Sequence, residues 1–424
     1  MGRLAGRLAA LALAGALAPG PGGAAEVEVA SPEALAPALE AAGPGDTLRL
    51  APGDYGALTL AHLAGTPEAP VVIASADPAD PARFSSMTVS GVESVELRGL
   101  VLDYTYAPGD PPYLRPFQVQ DSRDVTLSGI LLDGDDARGT GDPTADGFPT
   151  AFGLRVSDVE GFTLEGSEIR GFFRGLVVAD SSDVRVVGND LHGLRMDGMN
   201  FAQVEDVLIE GNRIRDFERS LASADHADMI QFWTNRTDRP STGIVIRGNL
   251  LASGTGAYTQ SIFMRNEEVD TGRRSFADMA YRDVAIEDNV IVNAQLHGIT
   301  VGEADGLVIA NNAVLRNPLS EGERDNPNLW TPRINVAPTA RNVTIRGNVT
   351  ARLPEPHALP SDWRIEGNLV VQDRAPSEPG YYGSVFAGMP GGDPRDPASF
   401  APRPGGPLDG TGIGPAWLGR PGPP

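Results

Sequence analysis

The residue of this sequence best suited to acid–base chemistry is His226, which lies in the segment Ser223-Ala224-Asp225-His226-Ala227-Asp228. The chain has only five histidines, and this one has a carboxylate on either side. A carboxylate neighbour raises the basicity of an imidazole and selects its tautomer. His226 is therefore our first candidate for a catalytic base, with Asp228 or Asp197 to orient it. A histidine in a surface loop would give the same pattern.

Two further residues could take part in the same reaction. His297 is a second candidate base, and Arg265 is a candidate cation for neutralising a substrate carboxylate. An ion pair of Arg265 with Glu267 or Glu268 is the alternative. The chain has 34 basic residues and no lysine, which excludes a lysine base or a Schiff base and leaves only planar guanidinium groups, which suit carboxylates.

A second group of side chains could hold a sugar chain. Aromatic rings stack on sugars, while amides and cations bind hydroxyl and carboxylate groups. A solvent-exposed sheet face would also be polar, but a large exposed aromatic residue such as Trp233 favours a site. The candidate binding residues are Asn200, Gln231, Trp233, Gln260, Arg155 and Arg174.

Asp197, Asp225 and Asp228 could alternatively form a calcium site or an acid pair. No spacing in the sequence matches a loop of known metal geometry. We therefore assign no cofactor and keep calcium as an alternative ligand. The chain has no cysteine, so it has neither disulfides nor thiolate chemistry.

These candidates lie on a repeated strand pattern of alternating apolar residues that ends in Gly or Asp followed by Asn. The period is 23 residues in the regular coils, as from Asn189 to Asn212. Period-two alternation indicates strands, and 23 residues is too short for a propeller blade. The pattern predicts an all-β, right-handed parallel β-helix of about ten or more coils. The Asn anchors, which we expect in left-handed turns with amides bonded from coil to coil, are Asn189, Asn212, Asn249, Asn289, Asn312, Asn348 and Asn368.

A second strand precedes each anchor, with apolar first and third positions that should point inward. Its second and fourth positions, together with the residues two before each strand, should form an outward strip that contains the candidate binding residues. Two long insertions interrupt the regular coils beside this strip, and long loops on a rigid scaffold often carry function. One insertion includes residues 223–228, and the other includes Glu267, Glu268, Arg273 and Arg274.

The chain divides into three segments. Residues 1–25 resemble a signal peptide, with Arg3 and Arg7 before a short apolar run. Residues 26–373 form the predicted β-helix, which begins with a cap helix that has Ser31 as its expected N-cap and Pro32 as its first residue. Residues 374–424, rich in Pro and Gly, are expected to pack as an extended cap on the last coils. We therefore expect a secreted or periplasmic protein with no membrane segment after cleavage, and a monomer.

The formal net charge of −22 repels polyanions on average, so nucleic acid is excluded as a general partner. A local basic groove could still bind an acidic polysaccharide.

The segment from Pro44-Gly45-Asp46-Thr47 to Pro52-Gly53-Asp54-Tyr55 resembles the first coil of many exported carbohydrate-active β-helices. The repeated coils resemble pectate-lyase-like proteins, including alginate and chondroitin lyases and mannuronan C5-epimerases, over residues 27–373. Those lyases use a Lys–Arg pair, and this chain has no lysine. The epimerases carry a Tyr-Gly-x-Asp-Pro-His motif, which residues 225–228 match only in Asp and His.

The resemblance and the candidate residues together favour a lyase or epimerase that removes the C5 proton of a uronate. Two alternatives remain open. A glycoside hydrolase could use Asp197 and Asp228 on adjacent coils, roughly 5 Å apart by the spacing of strands. A binding or structural β-helix would need no catalytic residue at all.

Overall fold

The computed structural model describes residues 24–254, 259–320, 329–354, 360–420 and 422. Each regular coil of the chain consists of three short strands. Each strand pairs in parallel with the equivalent strand one coil away. The predicted parallel β-helix is confirmed. The predicted signal peptide, residues 1–25, lies outside the described residues except for its last two. Within the described ranges, no helix is long and apolar enough to cross a membrane.

The strands form three faces, here called sheets 1, 2 and 3. Sheet 1 contains Ala57–Ala61, Ser86–Ser90, the first parts of Phe117–Ser128 and Phe152–Glu165, Arg174–Ala179, Asp197–Ala202, Asp228–Phe232, Gln260–Met264, His297–Val301 and Arg333–Val336. Sheet 2 contains Glu26–Val29, Thr47–Leu50, Val71–Ser75, Glu93–Arg98, the second parts of the two long strands, Ser182–Val187, Glu205–Glu210, Thr242–Arg247, Tyr281–Glu287, Ala304–Ala310, Arg341–Arg346 and Arg364–Glu366. Sheet 3 contains Arg83–Phe84, Val101–Asp103, Leu131–Asp133, Glu168–Arg170, Asp190–His192, Arg213–Arg215, Leu250–Ala252, Val290–Asn293, Ala313–Arg316, Val349–Thr350 and Leu369–Val370.

The apolar positions of the strands fill the interior of the coils. On sheet 1 the first and third positions predicted to face inward, such as Met199 with Phe201 and Ile230 with Phe232, are buried in one continuous core. Phe201 and Phe232 stack with ring centroids 4.8 Å apart. Because the coils superpose in register, the core is a column of like residues, and polar side chains at the alternate positions of sheet 1 point outward.

The Asn anchors form a buried ladder, as predicted. Asn212 Nδ2 donates to Asn249 Oδ1 at 3.0 Å, and Asn249 Nδ2 donates to Asn289 Oδ1 at 2.9 Å. The expected left-handed conformation, however, belongs to the residue before each anchor, such as Gly248 with φ +63° or Asp288 with φ +55°. Glycine and aspartate tolerate that conformation better than most residues, so the anchor itself is left free to pair with its neighbours.

Helix α1, Pro32–Ala41, follows the first strand and buries Leu35 against the first coils, in the place of the predicted cap helix. Its expected N-cap, Ser31, has extended backbone but makes no side-chain capping bond. The other helices are short. Within the described residues they are α2 (Glu267–Asp270), α3 (Phe276–Met279), α4 (Tyr382–Val385) and a 3₁₀ helix at Pro397–Phe400.

The C-terminal segment packs along the outside of sheet 3 and forms a second apolar cluster there. Phe386, Phe400 and Trp417 are buried in this cluster together with Val290 and Val292 of sheet 3. The cause is visible in the strands themselves. Sheet 3 strands change from polar–apolar–polar, as in Glu168–Arg170, to wholly apolar, as in Leu250–Ala252, and strands that are apolar on both sides need cover on both faces.

The two long insertions rise at opposite edges of sheet 1. Residues 216–227 lead into the strand Asp228–Phe232, whereas residues 265–280 follow the strand Gln260–Met264 and contain α2 and α3. The first insertion is tied to the loop at 134–151 by Ser220 Oγ, which donates to the carbonyl of Pro143 at 3.1 Å. The outward face of sheet 1 therefore lies between two walls of inserted chain.

Candidate active site

The outward side chains of sheet 1 form two columns that cross the strands. Parallel register puts equivalent residues of successive coils side by side, about 4.8 Å apart. The middle column is Gln118, Arg155, Val177, Asn200, Gln231, Phe263, Thr300 and Asn335. The edge column, where the strands of sheet 1 begin, is Phe152, Arg174, Asp197, Asp228, Gln260, His297 and Arg333.

Asp228 lies at the centre of a buried polar cluster in these columns. Its Oδ2 atom accepts from His226 Nδ1 at 3.0 Å and from Gln231 Nε2 at 2.9 Å. The side chain of Asp228 is fully buried, whereas that of His226 is 57% exposed. When Asp228 is ionised its carboxylate can only accept, so the hydrogen is on Nδ1 and the lone pair is on Nε2.

Asp197 supports this arrangement from the preceding coil. Its Oδ1 atom accepts the backbone N–H of Asp228 at 3.1 Å, and its Oδ2 atom accepts from Asn200 Nδ2 at 3.1 Å. Arg174 Nε lies 3.1 Å from the same Oδ2 atom, and Asn200 Nδ2 also donates to Gln231 Oε1 at 2.7 Å. The network therefore locks the carboxylate that holds His226.

The buried charges change the pKa values of this network in a consistent way. Burial raises the pKa of Asp197, and the negative charge of Asp228 raises it further. Burial also raises the pKa of Asp228, although the bond from His226 opposes the rise. The hydrogen bond to Asp228 raises the pKa of His226 above that of an ordinary histidine, because two carboxylates with one arginine favour an added positive charge.

The loop that presents His226 is held at its base by Arg195. Arg195 Nη2 lies 3.2 Å from Asp225 Oδ2, and its guanidinium carbon lies 4.9 Å from the centre of the Phe173 ring. The ion pair fixes the residue immediately before His226. Arg195 was not among the residues predicted from the sequence, because its partner lies 30 positions away in an irregular loop.

Replacing Asp228 with asparagine should lower the pKa of His226, because the hydrogen bond from His226 to this carboxylate is the main cause of the raised value. Long-range ¹H–¹⁵N NMR of the imidazole across a pH series measures the change directly. The matched control is Asp238→Asn, which removes an exposed carboxylate that does not contribute to the raised pKa of His226 and should leave the titration of His226 unchanged. An unshifted inflection in Asp228→Asn would contradict the assigned contact.

His297 has the opposite electrostatic environment. Burial lowers its pKa to about 4, and the positive charges of Arg333 and His226 add to the effect. Its Nδ1 atom lies 2.8 Å from Thr300 Oγ1, and its ring meets Phe263 edge-on with centroids 4.9 Å apart. His297 is therefore neutral near pH 7.

Arg265 lies across sheet 1 from these histidines, beyond the other end of its strand. It shares a depression of about 320 Å³ with Phe263, His297, Thr300 and Asn335. Its Nε atom donates to Asp270 Oδ2 of α2 at 2.8 Å, so its acidic neighbour is Asp270 rather than Glu267 or Glu268. The ion pair is half exposed, so it is a weak interaction.

The remaining candidate residues have these surroundings. The guanidinium carbon of Arg174 lies 5.5 Å from the ring centres of both Phe152 and Trp233. Arg155 Nη1 donates to Ser157 Oγ at 2.6 Å. Gln260 Oε1 is buried and has no hydrogen-bond partner among the described residues.

Neither alternative use of the aspartates is favoured by this geometry. The side chains of Asp197 and Asp228 are both fully buried, so neither can reach a glycosidic bond as acid or nucleophile in this arrangement. Across the described ranges, no group of three or more His, Asp or Glu side chains is placed to hold a metal ion.

Several aromatic residues on the outside of sheet 1 were not predicted. Phe152 and Phe173 stack on each other there, next to Arg174. Phe152 stands two positions before the inward Leu154, so regular alternation would place it inside the solenoid as well. It instead follows Ala151, whose backbone is left-handed with φ +62°, and lies outside the interior core. That turn is not readable from the residue types.

Comparison with known proteins supports the fold. The family model described as right handed beta helix region matches residues 148–350, and no curated protein matches the chain. A tailspike protein, Dettilon gp208, aligns with a TM-score of 0.50 at 12% identity, covering 80% of this chain and 64% of its own.

Two other solved structures are similar at lower scores. The alginate lyase AlyGC aligns with a TM-score of 0.42 at 15% identity, covering 83% of this chain, which spans only about half (52%) of that enzyme. The surface adhesin PfbA of Streptococcus pneumoniae aligns with a TM-score of 0.45 at 11% identity, covering 80% of this chain and 87% of its own. Together with the family match, the parallel pairing identifies a right-handed parallel β-helix, as predicted. A shared fold does not determine an activity, so the activity has to be argued from the site.

Proposed function

We propose that this right-handed parallel β-helix protein acts on an acidic polysaccharide and removes the C5 proton of a uronate unit, as a lyase or an epimerase. The observation that carries the proposal is the His226–Asp228 pair. A fully buried carboxylate in the edge column of sheet 1 holds Nδ1 of an imidazole whose side chain is more than half exposed. That is the arrangement a general base requires.

The base is assigned to His226 rather than His297 for an energetic reason. A base removes a weakly acidic C–H proton more readily when its own conjugate acid has a higher pKa. The pKa of His226 is raised and that of His297 is lowered to about 4. His297 is assigned a positioning role, in which its neutral ring lines the sugar-binding depression.

The proton transfer then balances as follows. His226 Nε2 takes the proton from C5, and the carbanion is stabilised by the adjacent carboxylate. In elimination a C4–C5 double bond forms, the C4–O bond breaks, and the leaving oxygen receives the proton from His226. In epimerisation C5 instead regains a proton on its opposite face. Elimination needs one proton carrier, whereas epimerisation needs a second donor.

Arg265 is assigned to neutralise the uronate carboxylate. It lines the same depression as His297, and its present partner is an exposed aspartate that an anionic substrate can replace. Arg174 is less suited, because it is largely buried and already paired with Asp197. Trp233 would cover Arg174 and offer its ring to a neighbouring sugar.

The two columns of sheet 1 also contain polar atoms on adjacent strands that lack hydrogen-bond partners. Asn200 Oδ1, Asp228 Oδ1 and Gln260 Oε1 are buried and lack hydrogen-bond partners among the described residues. Each such group costs about 1–3 kcal/mol, and retained costs of this kind are expected at functional sites. Sugar hydroxyl groups are donors that could satisfy them after a small side-chain movement.

The partner and location follow from the same proposal. The polysaccharide would lie across the strands of sheet 1, parallel to the axis of the solenoid, so that successive sugars meet successive coils. The enzyme would work as a secreted or periplasmic monomer. Its overall negative charge would repel nucleic acid and confine anionic ligands to local groups of arginines.

The test is incubation of the purified protein with alginate, polygalacturonate and chondroitin, with and without calcium. A rise in absorbance from unsaturated uronate indicates elimination, and exchange of the C5 proton in D₂O, read by NMR on the same samples, indicates epimerisation. A neutral glucan serves as the control. Absence of both signals across the panel would contradict the proposal and favour a glycan-binding protein.

A further inference from the structure

We propose a second binding site on sheet 1, which takes one anionic sugar unit at a distance from His226. The site consists of Tyr113, Arg115, Phe152, Arg155 and Phe173, here called the aromatic–arginine patch. It rests on the proposed function in one respect: it is assigned to the same glycan that passes His226.

The aromatic part of the patch lies outside the solenoid. Phe152 and Phe173 stack with centroids 6.4 Å apart and planes 6° from parallel, and they form a small apolar cluster separate from the interior core. Tyr113 stands edge-on to both, with centroids 6.4 and 5.5 Å away, and is 61% exposed. Two buried rings therefore support one exposed ring, whose side is open to the apolar face of a sugar.

The cationic part of the patch lacks acidic partners. The guanidinium carbon of Arg115 lies 5.7 Å from the centre of the Phe152 ring. Burial lowers the pKa of Arg115, and the positive charge of Arg155 lowers it further. Within the described ranges neither arginine forms an ion pair, although the charge of Arg155 influences the pKa of Asp180.

Two arginines near the same rings do not belong to the patch. Arg174 and Arg195 approach Phe152 and Phe173, but each is already paired with an aspartate. Carboxylates are abundant in a chain with a net charge of −22, so most arginines can find an acidic partner, as Arg174 and Arg195 do. Two neighbouring guanidinium groups left without one indicate that their anion comes from outside the protein.

The chemistry of the ligand follows from these parts. Guanidinium groups bind carboxylate and sulfate oxygens through paired hydrogen bonds, and an aromatic ring binds the apolar face of a pyranose. The patch therefore fits a uronate or a sulfated sugar and disfavours a neutral one. Arg155 is three strands before Gln231 in the middle column, or about 14 Å at ordinary strand spacing, so the bound unit is a few sugars from the reacting one.

The test compares Arg115→Gln/Arg155→Gln with the control Arg98→Gln/Arg123→Gln, which removes the same charge from exposed arginines that are paired on sheet 2. Affinity for uronate oligosaccharides, sulfated chondroitin oligosaccharides and a neutral glucan oligosaccharide is measured by calorimetry at two salt concentrations. We expect the first variant to lose about tenfold or more in affinity for anionic oligosaccharides and to show a weaker salt dependence. The control should bind like the unmodified protein.

The anionic oligosaccharide that loses the most affinity identifies the sugar class, uronate or sulfated. Tyr113→Ala should weaken the same interaction and leave its salt dependence unchanged. Equal binding by both arginine variants, or no binding of anionic oligosaccharides by the unmodified protein, would overturn the second site. Binding that depends on Arg115 and Arg155 without any turnover would overturn the proposed reaction and leave the second site standing. Turnover by the unmodified protein, together with unaltered binding by Arg115→Gln/Arg155→Gln, would overturn the second site and leave the proposed reaction standing.

Discussion

His226→Gln should lower the turnover of an acidic polysaccharide by about 100- to 10,000-fold, the usual contribution of a positioned general base. Glutamine has a similar length and polarity but cannot accept the C5 proton. The side chain of His226 is more than half exposed, so the variant should fold as the unmodified protein does. The measurement is the initial rate of the reaction found in the polyuronate assays, with circular dichroism and the melting temperature recorded for each variant.

The pH dependence of the same reaction has a definite sign. The base form of His226 exists above its pKa, and Asp228 raises that pKa. The rate should therefore rise with pH through a point higher than the pKa of an ordinary histidine. Asp228→Asn should move this point to lower pH and also lower the plateau, because the imidazole loses the group that orients it.

His192 offers a matched control for His226. It also pairs with a carboxylate, Glu168, at 3.1 Å, but it lies on sheet 3, away from the strip. His192→Gln should leave the rate within about twofold of the unmodified protein. Equal loss in both variants would point to instability rather than catalysis, and unchanged turnover in His226→Gln would remove His226 from the mechanism.

Asn249→Ala should lower the free energy of unfolding by about 3–5 kcal/mol. Asn249 Oδ1 accepts from the backbone N–H and from Nδ2 of Asn212, and its own Nδ2 donates to Asn289 Oδ1 and to the carbonyl of Ile209. The side chain is fully buried. Alanine would leave two or three buried groups without partners, at about 1–3 kcal/mol each.

Urea unfolding followed by far-UV circular dichroism measures this loss. Asn235→Ala is the control, since Asn235 is exposed and accepts one bond from Arg273. It should change the stability by no more than about 0.5 kcal/mol. A similar small effect of Asn249→Ala would mean that the ladder follows from the fold without stabilising it.

The sequence by itself determined the repeating part of this protein. A parallel solenoid places equivalent residues of successive coils side by side, so aligning the repeated strand patterns predicts the neighbours even where an insertion lengthens a coil. That is why the Asn ladder and most of the two columns of sheet 1, including Asn200 beside Gln231 and Asp228 beside Gln260, follow from the sequence. The proximity of His226 to Asp228 follows from their two-residue separation.

Only the tertiary structure decided the non-repeating contacts. The Arg195–Asp225 ion pair and the pairing of Arg265 with Asp270 depend on the path of inserted loops, which obey no period. The burial of Asp197 and Asp228, which argues against a hydrolase, depends on the side chains packed over them. The position of the C-terminal segment on sheet 3 and the aromatic–arginine patch arise in the same way. Periodic pairing is encoded locally in each coil, whereas contacts between loops depend on where whole segments come to lie, and residue types alone do not contain that information.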